Sequence, residues 1–273
     1  KLLIEKGTPM STLNQMKERL TELKFHPSVI AVRQMRKSLI DIYPSIQLKL
    51  DGKKRQNLMR ELKECVTVSD CIEFTQRHMG AGSCQIPWEI ESVLNLIAES
   101  RPRVLCEIGT FDGGTSLLFS RFLPTVENML CIDLYVKNKA FLKLLAPPKQ
   151  SLYFLDMPSY TDATVNKVRK HLNGKMIDVL FIDGDHRYEG VKKDFLYYRS
   201  LVREGGLILL HDIKESDGGG RAWAGGVPIF WKELAAIYPH HEFVHSQDQH
   251  GFGIGVLTYS SKIDLPAGFD AGL

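Results

Sequence analysis

Cysteine is scarce in the sequence, with five residues in 273, and no two of them stand at the C-x-x-C spacing of redox and metal motifs. Two of the five, Cys106 and Cys131, fall inside apolar, strand-like runs. A free thiol in such a run behaves as a small hydrophobic side chain. This usage favours a reducing compartment, and we therefore expect a cytoplasmic protein.

Long apolar runs are also missing. No uninterrupted stretch approaches the roughly 20 residues that a membrane-spanning helix needs. The N-terminus also lacks the pattern of a secretory leader, which is a basic region followed by an apolar core and a small-residue cleavage site. We expect a soluble protein without a membrane partner.

A strong overall charge is absent as well, since the net charge is only +3. The charge is nevertheless uneven, because residues 1–63 hold 14 Lys or Arg against six Asp or Glu. A basic helical face of this kind can contact nucleic acid or acidic lipid, but a solvated helix surface or a subunit contact explains it as well. The rest of the chain has no basic stripe, so we expect no nucleic-acid partner. Because the basic region suits a subunit contact, we expect a homo-oligomer.

The sequence does contain a helical start followed by a change of periodicity. From Ser11 to about Phe74, apolar residues recur at helical spacing. The small-residue loop "GAGSCQIP" then leads into a further helical pattern, Trp88–Ala98. We therefore divide the chain into a helical N-terminal extension, residues 1–84, that forms a lid or an oligomer interface, and a second domain, residues 85–273.

The second domain alternates between strand and helix patterns. The strand candidates are residues 103–108, 128–134, 151–155, 176–183, 206–212, 242–246 and 253–259. The intervals after the first five strands carry helical patterns, such as Ser116–Phe122 and Glu189–Leu201. This alternation predicts an α/β fold with a doubly wound, mostly parallel seven-stranded sheet. The segment "QDQHGFG" before the last strand is too short for a crossover helix, so the last two strands should form an antiparallel hairpin.

A glycine-rich turn follows the first strand in "VLCEIGTFDGGTS". Gly109 and Gly113 allow a tight turn in which a ligand can lie against main-chain amides at a helix N-terminus, and Glu107 places a carboxylate at the strand end. The dinucleotide-binding pattern G-x-G-x-x-G is absent here. An acid just before the first glycine suits an amine-bearing ligand better than a pyrophosphate, although a tight turn without a ligand remains the alternative.

Acidic residues also end the next two strands. Asp133 can accept hydrogen bonds from the two hydroxyls of a ribose. Asp156 is placed to contact an adenine edge, although a helix N-cap or a solvated turn explains it nearly as well. The fourth strand runs directly into "DGDH", with Asp183 and His186, at the end of the sheet where α/β proteins bind their ligands.

These motifs together resemble the class I S-adenosylmethionine-dependent methyltransferases. Within that class, "IDGDHRYEGVKKDF" followed by "LVREGGLILLHDI" is similar to the branch of macrocin O-methyltransferase, the mycinamicin sugar O-methyltransferase and the cephalosporin hydroxylase proteins. The resemblance covers roughly residues 85–259 and implies a Rossmann-like methyltransferase fold. It also implies that S-adenosylmethionine is held by Gln85, Glu107, Gly109, Thr110, Gly113, Ser116, Asp133 and Asp156.

The resemblance further implies a divalent metal. In the related sugar methyltransferases, acids at the strand ends hold magnesium, and a histidine three residues after the first acid takes the acceptor proton; Asp183 and His186 reproduce that spacing. The next strand ends in His211-Asp212 rather than in an acidic pair. We therefore predict Asp183, His211 and Asp212 as ligands of Mg²⁺ or, because of the imidazole, of Mn²⁺ or Fe²⁺. Alternatively His211 supports the ligands or acts as a base, or the two acids merely orient the acceptor.

The sequence thus predicts an enzyme that transfers a methyl group from S-adenosylmethionine to a hydroxyl of a small natural product or sugar. The catalytic residues would be Asp183 and His186, with a metal lowering the pKa of the hydroxyl and His186 removing its proton. Two other hypotheses remain. One is a nicotinamide-dependent oxidoreductase, against which the missing G-x-G-x-x-G argues, and the other is a non-catalytic protein on the same fold.

Overall fold

The computed structural model describes residues 51–216 and 223–269, which belong to one compact unit. The predicted N-terminal extension lies outside the described residues over positions 1–50. Its remaining part, residues 51–84, is described and is largely helical, as the apolar spacing predicts.

Eight α-helices are formed within these ranges. They are α1 Gly52–Glu64, α2 Val68–His78, α3 Pro87–Glu99, α4 Gly114–Phe122, α5 Lys139–Leu145, α6 Asp162–Leu172, α7 Tyr188–Tyr198 and α8 Val227–Ala235. A short 3-10 turn, Arg199–Leu201, follows α7. None of the helices in the described ranges has the length and apolar character required to cross a membrane.

The first two helices share a hydrophobic cluster with the sheet. Asp51 caps the N-terminus of α1, because its side chain accepts a hydrogen bond from the backbone N–H of Lys54, and α2 begins with a capping box. Their apolar faces, with Leu58 on α1 and Phe74 on α2, lie in the same hydrophobic cluster as Phe181 of the sheet. Residues 51–84 therefore share a core with the second domain, and the boundary at residue 84 stays a prediction.

The seven strands form one sheet in the order β3-β2-β1-β4-β5-β7-β6. They are β1 Val104–Ile108, β2 Asn128–Asp133, β3 Ser151–Asp156, β4 Ile177–Ile182, β5 Val202–His211, β6 His240–Phe243 and β7 Ile254–Thr258. The first five are parallel, and β7 is antiparallel to both β5 and β6. This confirms the doubly wound sheet and the terminal hairpin.

A hydrophobic cluster covers each face of the sheet. One cluster includes Phe119 and Phe181, and the other includes Leu180 and Phe195. Strand residues alternate between the two clusters, as expected for strands that are buried on both faces. Of the five cysteines, all of which are free, Cys106 and Cys131 are buried in β1 and β2.

The order of the strands reverses between β1 and β4. The chain runs outward from β1 through β2 to β3 and then returns to β4 on the other side of β1. Open α/β sheets bind their ligands at the carboxyl ends of the strands at such a switch point. The topology therefore predicts that the ligand site is formed by the residues that follow β1, β4 and β5.

Candidate active site

The carboxyl ends of β1, β4 and β5 lie side by side. Ile108 pairs with Ile182, and Ile182 pairs with Leu210 on the next strand. The glycine turn after β1, Asp183 after β4 and the His211-Asp212 pair at the end of β5 consequently meet at one edge of the sheet. The structure thus brings together the residues that the sequence predicted for the cofactor and for the metal.

The turn after β1 needs glycine because it passes directly against the end of β4. Gly109 has a φ of +91°, and a Cβ atom at this position would lie 1.8 Å from the backbone oxygen of Asp183. Gly113 has a φ of +82° and forms the N-cap of α4. A Cβ atom on Gly114 would lie 2.2 Å from the backbone of Gly82 and Ser83, so the loop before α3 rests on the N-terminus of α4.

Glu107 is buried beneath this turn. Its carboxylate accepts a hydrogen bond from Thr110 at 3.0 Å and another from Ser116. Burial raises the pKa of Glu107 to about 7, although both hydrogen bonds act in the opposite direction. Three of the predicted cofactor residues therefore form one buried hydrogen-bonded group that supports the turn.

Gln85 lies at the N-terminal end of α4, next to the same turn. Its Nε2 donates to Thr115 at 3.5 Å, while its Oε1 is buried and has no hydrogen-bond partner among the described residues. The hydroxyl of Ser83 is likewise buried and unpartnered within that part of the chain. Buried polar atoms normally have partners. These two atoms therefore suit a polar ligand, in particular one that carries an ammonium group.

Asp133 and Asp156 follow β2 and β3 in different environments. The oxygens of Asp133 accept the backbone N–H groups of Phe111 at 2.8 Å and Tyr135 at 2.9 Å. Asp156 accepts the backbone N–H of Val136 and forms an ion pair with Lys139. Both carboxylates thus order loops next to the turn, and their contacts with a cofactor stay predictions.

His186 lies between two carboxylates. Its Nε2 is 3.2 Å from Oδ1 of Asp183, and its Nδ1 is 3.4 Å from Oδ2 of Asp212 and 2.6 Å from the backbone oxygen of Trp223. Burial lowers the pKa of His186, but the contact with Asp183 outweighs it and raises the pKa to about 9. For Asp183, burial raises the pKa, and His211 and His186 bring it below its ordinary value.

His211 lies on the other side of Asp183 and is only 5% exposed. Its Nδ1 is 3.3 Å from Oδ1 of Asp183 and 3.6 Å from Oδ1 of Asp212. Its Nε2 is buried without a hydrogen-bond partner among the described residues. Both acids thus contact both histidines.

The ligand atoms of Asp183, His186 and Asp212 lie within 4.8 Å of one another, so these three side chains could share a metal ion. The set differs from the predicted one, which contains His211 in the place of His186. The difference arises because His186 turns back over the end of β4 toward Asp183 and Asp212, instead of pointing away from the two acids.

Phe252 completes the site and was not predicted. Its backbone N–H donates to Oδ1 of Asp212 at 3.1 Å, and its ring lies edge-on to the ring of His211. Both Phe252 and Asp212 have a positive φ, of 56° and 63°. Left-handed backbone is uncommon in residues other than glycine. The glycines on both sides of Phe252 in "HGFG" are the sequence signal that could have indicated this special turn.

Glu89 anchors the loop that carries Phe252 and was also not predicted. This fully buried carboxylate on α3 accepts the backbone N–H groups of His245 at 3.0 Å and Gly253 at 2.9 Å, and the side-chain amide of Gln249 at 2.7 Å. The sequence contains a signal for this role, because Glu89 is four residues before Val93 and therefore lies on the buried face of the helix. An acid on an apolar helix face needs buried partners.

Replacing Glu89 by Ala should destabilise the fold by about 3 kcal/mol or more, because buried donors lose a charged acceptor. The matched control is Glu91→Ala, two residues further along α3, where the side chain is exposed and a change of at most about 0.5 kcal/mol is expected. Urea denaturation of both variants measures the difference. Equal stability of the two variants would show that Glu89 does not hold the loop.

Comparisons with known proteins agree with this geometry. Residues 106–213 match the model of a family described as a methyltransferase domain. The chain is 25% identical over 181 residues to an uncharacterized protein of Sinorhizobium fredii, covering 62% of this chain and 18% of that protein. It is 31% identical over 118 residues to an uncharacterized protein of Acanthamoeba polyphaga mimivirus, covering 40% of this chain and 51% of that protein. The chain thus spans less than a fifth of the length of the first of these curated relatives and about half of the length of the second.

The fold is also found in a solved structure, that of the O-methyltransferase TomG from Streptomyces achromogenes. The TM-score is 0.50 at 16% identity, over 83% of this chain and 99% of that chain. The sheet order and this likeness agree in fold, and the match to the methyltransferase family covers residues 106–213 within it. This confirms the Rossmann-like methyltransferase fold that the sequence motifs indicated.

Proposed function

We propose that the chain is an S-adenosylmethionine-dependent O-methyltransferase that acts on a hydroxyl group of a small natural product or sugar with the help of a divalent metal. One observation carries the proposal: the glycine turn after β1 and the Asp183, His186 and Asp212 group lie at neighbouring strand ends. A methyl donor and a hydroxyl acceptor can be held side by side at such an edge. TomG, an O-methyltransferase described in complex with S-adenosylmethionine, shares the fold.

The residues around the turn fit S-adenosylmethionine. Gln85 and Ser83 provide buried acceptor atoms without partners among the described residues, which suits the ammonium group of the cofactor. Asp133 ends β2, where a carboxylate can accept hydrogen bonds from the ribose hydroxyls. When bound, the cofactor supplies an electrophilic methyl group. The turn supported by Glu107, Thr110 and Ser116 would fix the direction in which that methyl points.

The residues after β4 and β5 fit a divalent metal. Two carboxylates and an imidazole form a donor set of the kind that borderline ions accept. A bound ion would lower the pKa of an acceptor hydroxyl. Asp183 and Asp212 hold the histidines of the site in fixed orientations, so that the acceptor meets an ordered set of charged groups.

We further propose that the N-terminal extension, residues 1–84, covers this site or joins subunits.

Calorimetry with S-adenosylmethionine tests the cofactor part of the proposal. The wild-type chain should bind it, and Asp133→Ala should bind about 10- to 100-fold more weakly, because hydrogen bonds to a charged group are lost. The control is Glu127→Ala at the opposite end of β2, where the carboxylate pairs with Arg103 on the surface. Absence of wild-type binding at millimolar cofactor would contradict the proposal.

A further inference from the structure

We propose that His186 is the metal ligand of this site, through Nε2, and that His211 is not a ligand but a positioning residue that donates a hydrogen bond to Asp183. This inference rests on the proposed function, since it concerns the ion of the same site. It differs from the roles predicted from the sequence, in which His186 takes the proton of the acceptor and His211 is the ligand. The positions of the protons on the two rings determine these roles.

The tautomer of His186 is fixed by Trp223. The Nδ1 atom lies 2.6 Å from the backbone oxygen of Trp223, and a carbonyl oxygen can only accept, so Nδ1 carries a proton. In the neutral ring, the lone pair is then on Nε2, which points at Oδ1 of Asp183 from 3.2 Å. Two acceptor atoms at that distance require a proton or a cation between them. A metal ion takes the place of that proton.

The same contact gives His186 the surroundings of a metal ligand. Metal-binding histidines almost always donate their second ring N–H to a carbonyl or a carboxylate, which fixes the tautomer and the ring orientation. Trp223 provides this acceptor for His186. The separation of 3.2 Å between Nε2 and Asp183 is also close to the distance of about 3 Å between neighbouring ligands on an octahedral ion that is about 2.1 Å from each.

The tautomer of His211 is fixed in the opposite way. Its Nε2 is buried, has no hydrogen-bond partner in the described part of the chain, and belongs to a ring that lies near the rings of Phe181 and Phe252. A proton on Nε2 of the neutral ring would be a buried N–H without an acceptor, which is costly. The proton therefore belongs on Nδ1, where Asp183 accepts it at 3.3 Å.

His211 consequently has no lone pair directed at the ion. The nitrogen that faces the two acids carries a proton, and the nitrogen with the lone pair faces away from them. The ligand set is thus Asp183, His186 and Asp212. A preference for Mn²⁺ or Fe²⁺ over Mg²⁺ then comes from His186, and His186 is not free to take the proton of the acceptor.

Electron spin-echo spectroscopy of bound Mn²⁺ tests this assignment, because it detects a coordinated imidazole nitrogen without any turnover. The full chain is loaded with Mn²⁺ alone, and its affinity is measured by calorimetry. The wild type should show one coordinated nitrogen. His186→Ala should lose the nitrogen signal and bind Mn²⁺ at least about 100-fold more weakly. A residue that only hydrogen-bonds to a metal ligand usually costs about 10- to 100-fold in affinity when it is replaced.

His211→Asn provides the matched variant, because the amide N–H of Asn replaces the Nδ1–H donor toward Asp183. It should keep the nitrogen signal and bind Mn²⁺ within about 10-fold of the wild type. A signal that persists in His186→Ala and disappears in His211→Asn would overturn the inference, as would a wild-type spectrum without nitrogen or a failure to bind Mn²⁺. S-adenosylmethionine binding, measured separately, would then show whether the proposed cofactor also fails; it also reports whether each variant is folded.

Discussion

Replacement of Asp183 by Asn should abolish divalent-metal binding and reduce methyl transfer by about 10²- to 10⁴-fold. Oδ1 of Asp183 is 3.2 Å from His186 and 3.3 Å from His211, so the negative charge of this carboxylate orients both histidines. The neutral amide loses that charge, and a lost metal removes several kcal/mol of transition-state stabilisation. Calorimetry with Mn²⁺ and steady-state assays of methyl transfer to a hydroxyl acceptor measure the two effects.

The same turn contains a matched control for this experiment. Asp185 follows Asp183 by two residues, but its carboxylate binds Arg187 and accepts a hydrogen bond from Tyr160 at 2.9 Å. Asp185→Asn should therefore lower stability while metal affinity and turnover stay within a few-fold of the wild type. If Asp183→Asn kept both metal and turnover, the site would be located elsewhere.

The central strands could be predicted because parallel strands that are buried on both faces are nearly continuous apolar runs. Strand β4 is an example, since the structure places it at Ile177–Ile182 within the predicted range of residues 176–183. The edge strand was less accurate. The range of residues 242–246 was predicted, but β6 is His240–Phe243, where three of four side chains are exposed. Without a buried face, an edge strand has no apolar pattern to mark its ends.

The residues at the strand ends could be predicted for a topological reason. Because β1, β4 and β5 are parallel and adjacent, their carboxyl ends share one edge, so Glu107, Asp183 and Asp212 lie near one another. The partners of these residues could not be derived in this way. Glu89 and Gly253 are 164 positions apart in sequence. The acceptor that orients His186 is a backbone carbonyl, which every residue possesses, so no residue type signals it.

Gly109 was predicted to allow a turn that binds a ligand, but the structure shows that it is also needed for the packing of the backbone. A Cβ atom here would lie 1.8 Å from the backbone oxygen and 2.3 Å from the backbone carbon of Asp183. Neither atom can move freely, because the backbone N–H of Asp183 donates to Ile108 at 2.9 Å and that of Gly109 donates to Ile132 at 2.8 Å. The turn after β1 and the end of β4 that carries Asp183 are therefore held together at this glycine.

Gly109→Ala should consequently lower the free energy of unfolding by more than about 3 kcal/mol or prevent folding, because a backbone clash adds to the strain of a left-handed residue. Any folded fraction should bind Mn²⁺ poorly, since Asp183 is displaced. The control is Gly174→Ala, which also has a positive φ, of 80°, but has no atom within 4 Å of the added Cβ. That variant should lose only about 1–2 kcal/mol and should bind Mn²⁺ as tightly as the wild type does. Urea denaturation and Mn²⁺ calorimetry compare the two variants, and equal losses in both would mean that strain alone, not the contact with Asp183, requires glycine at position 109.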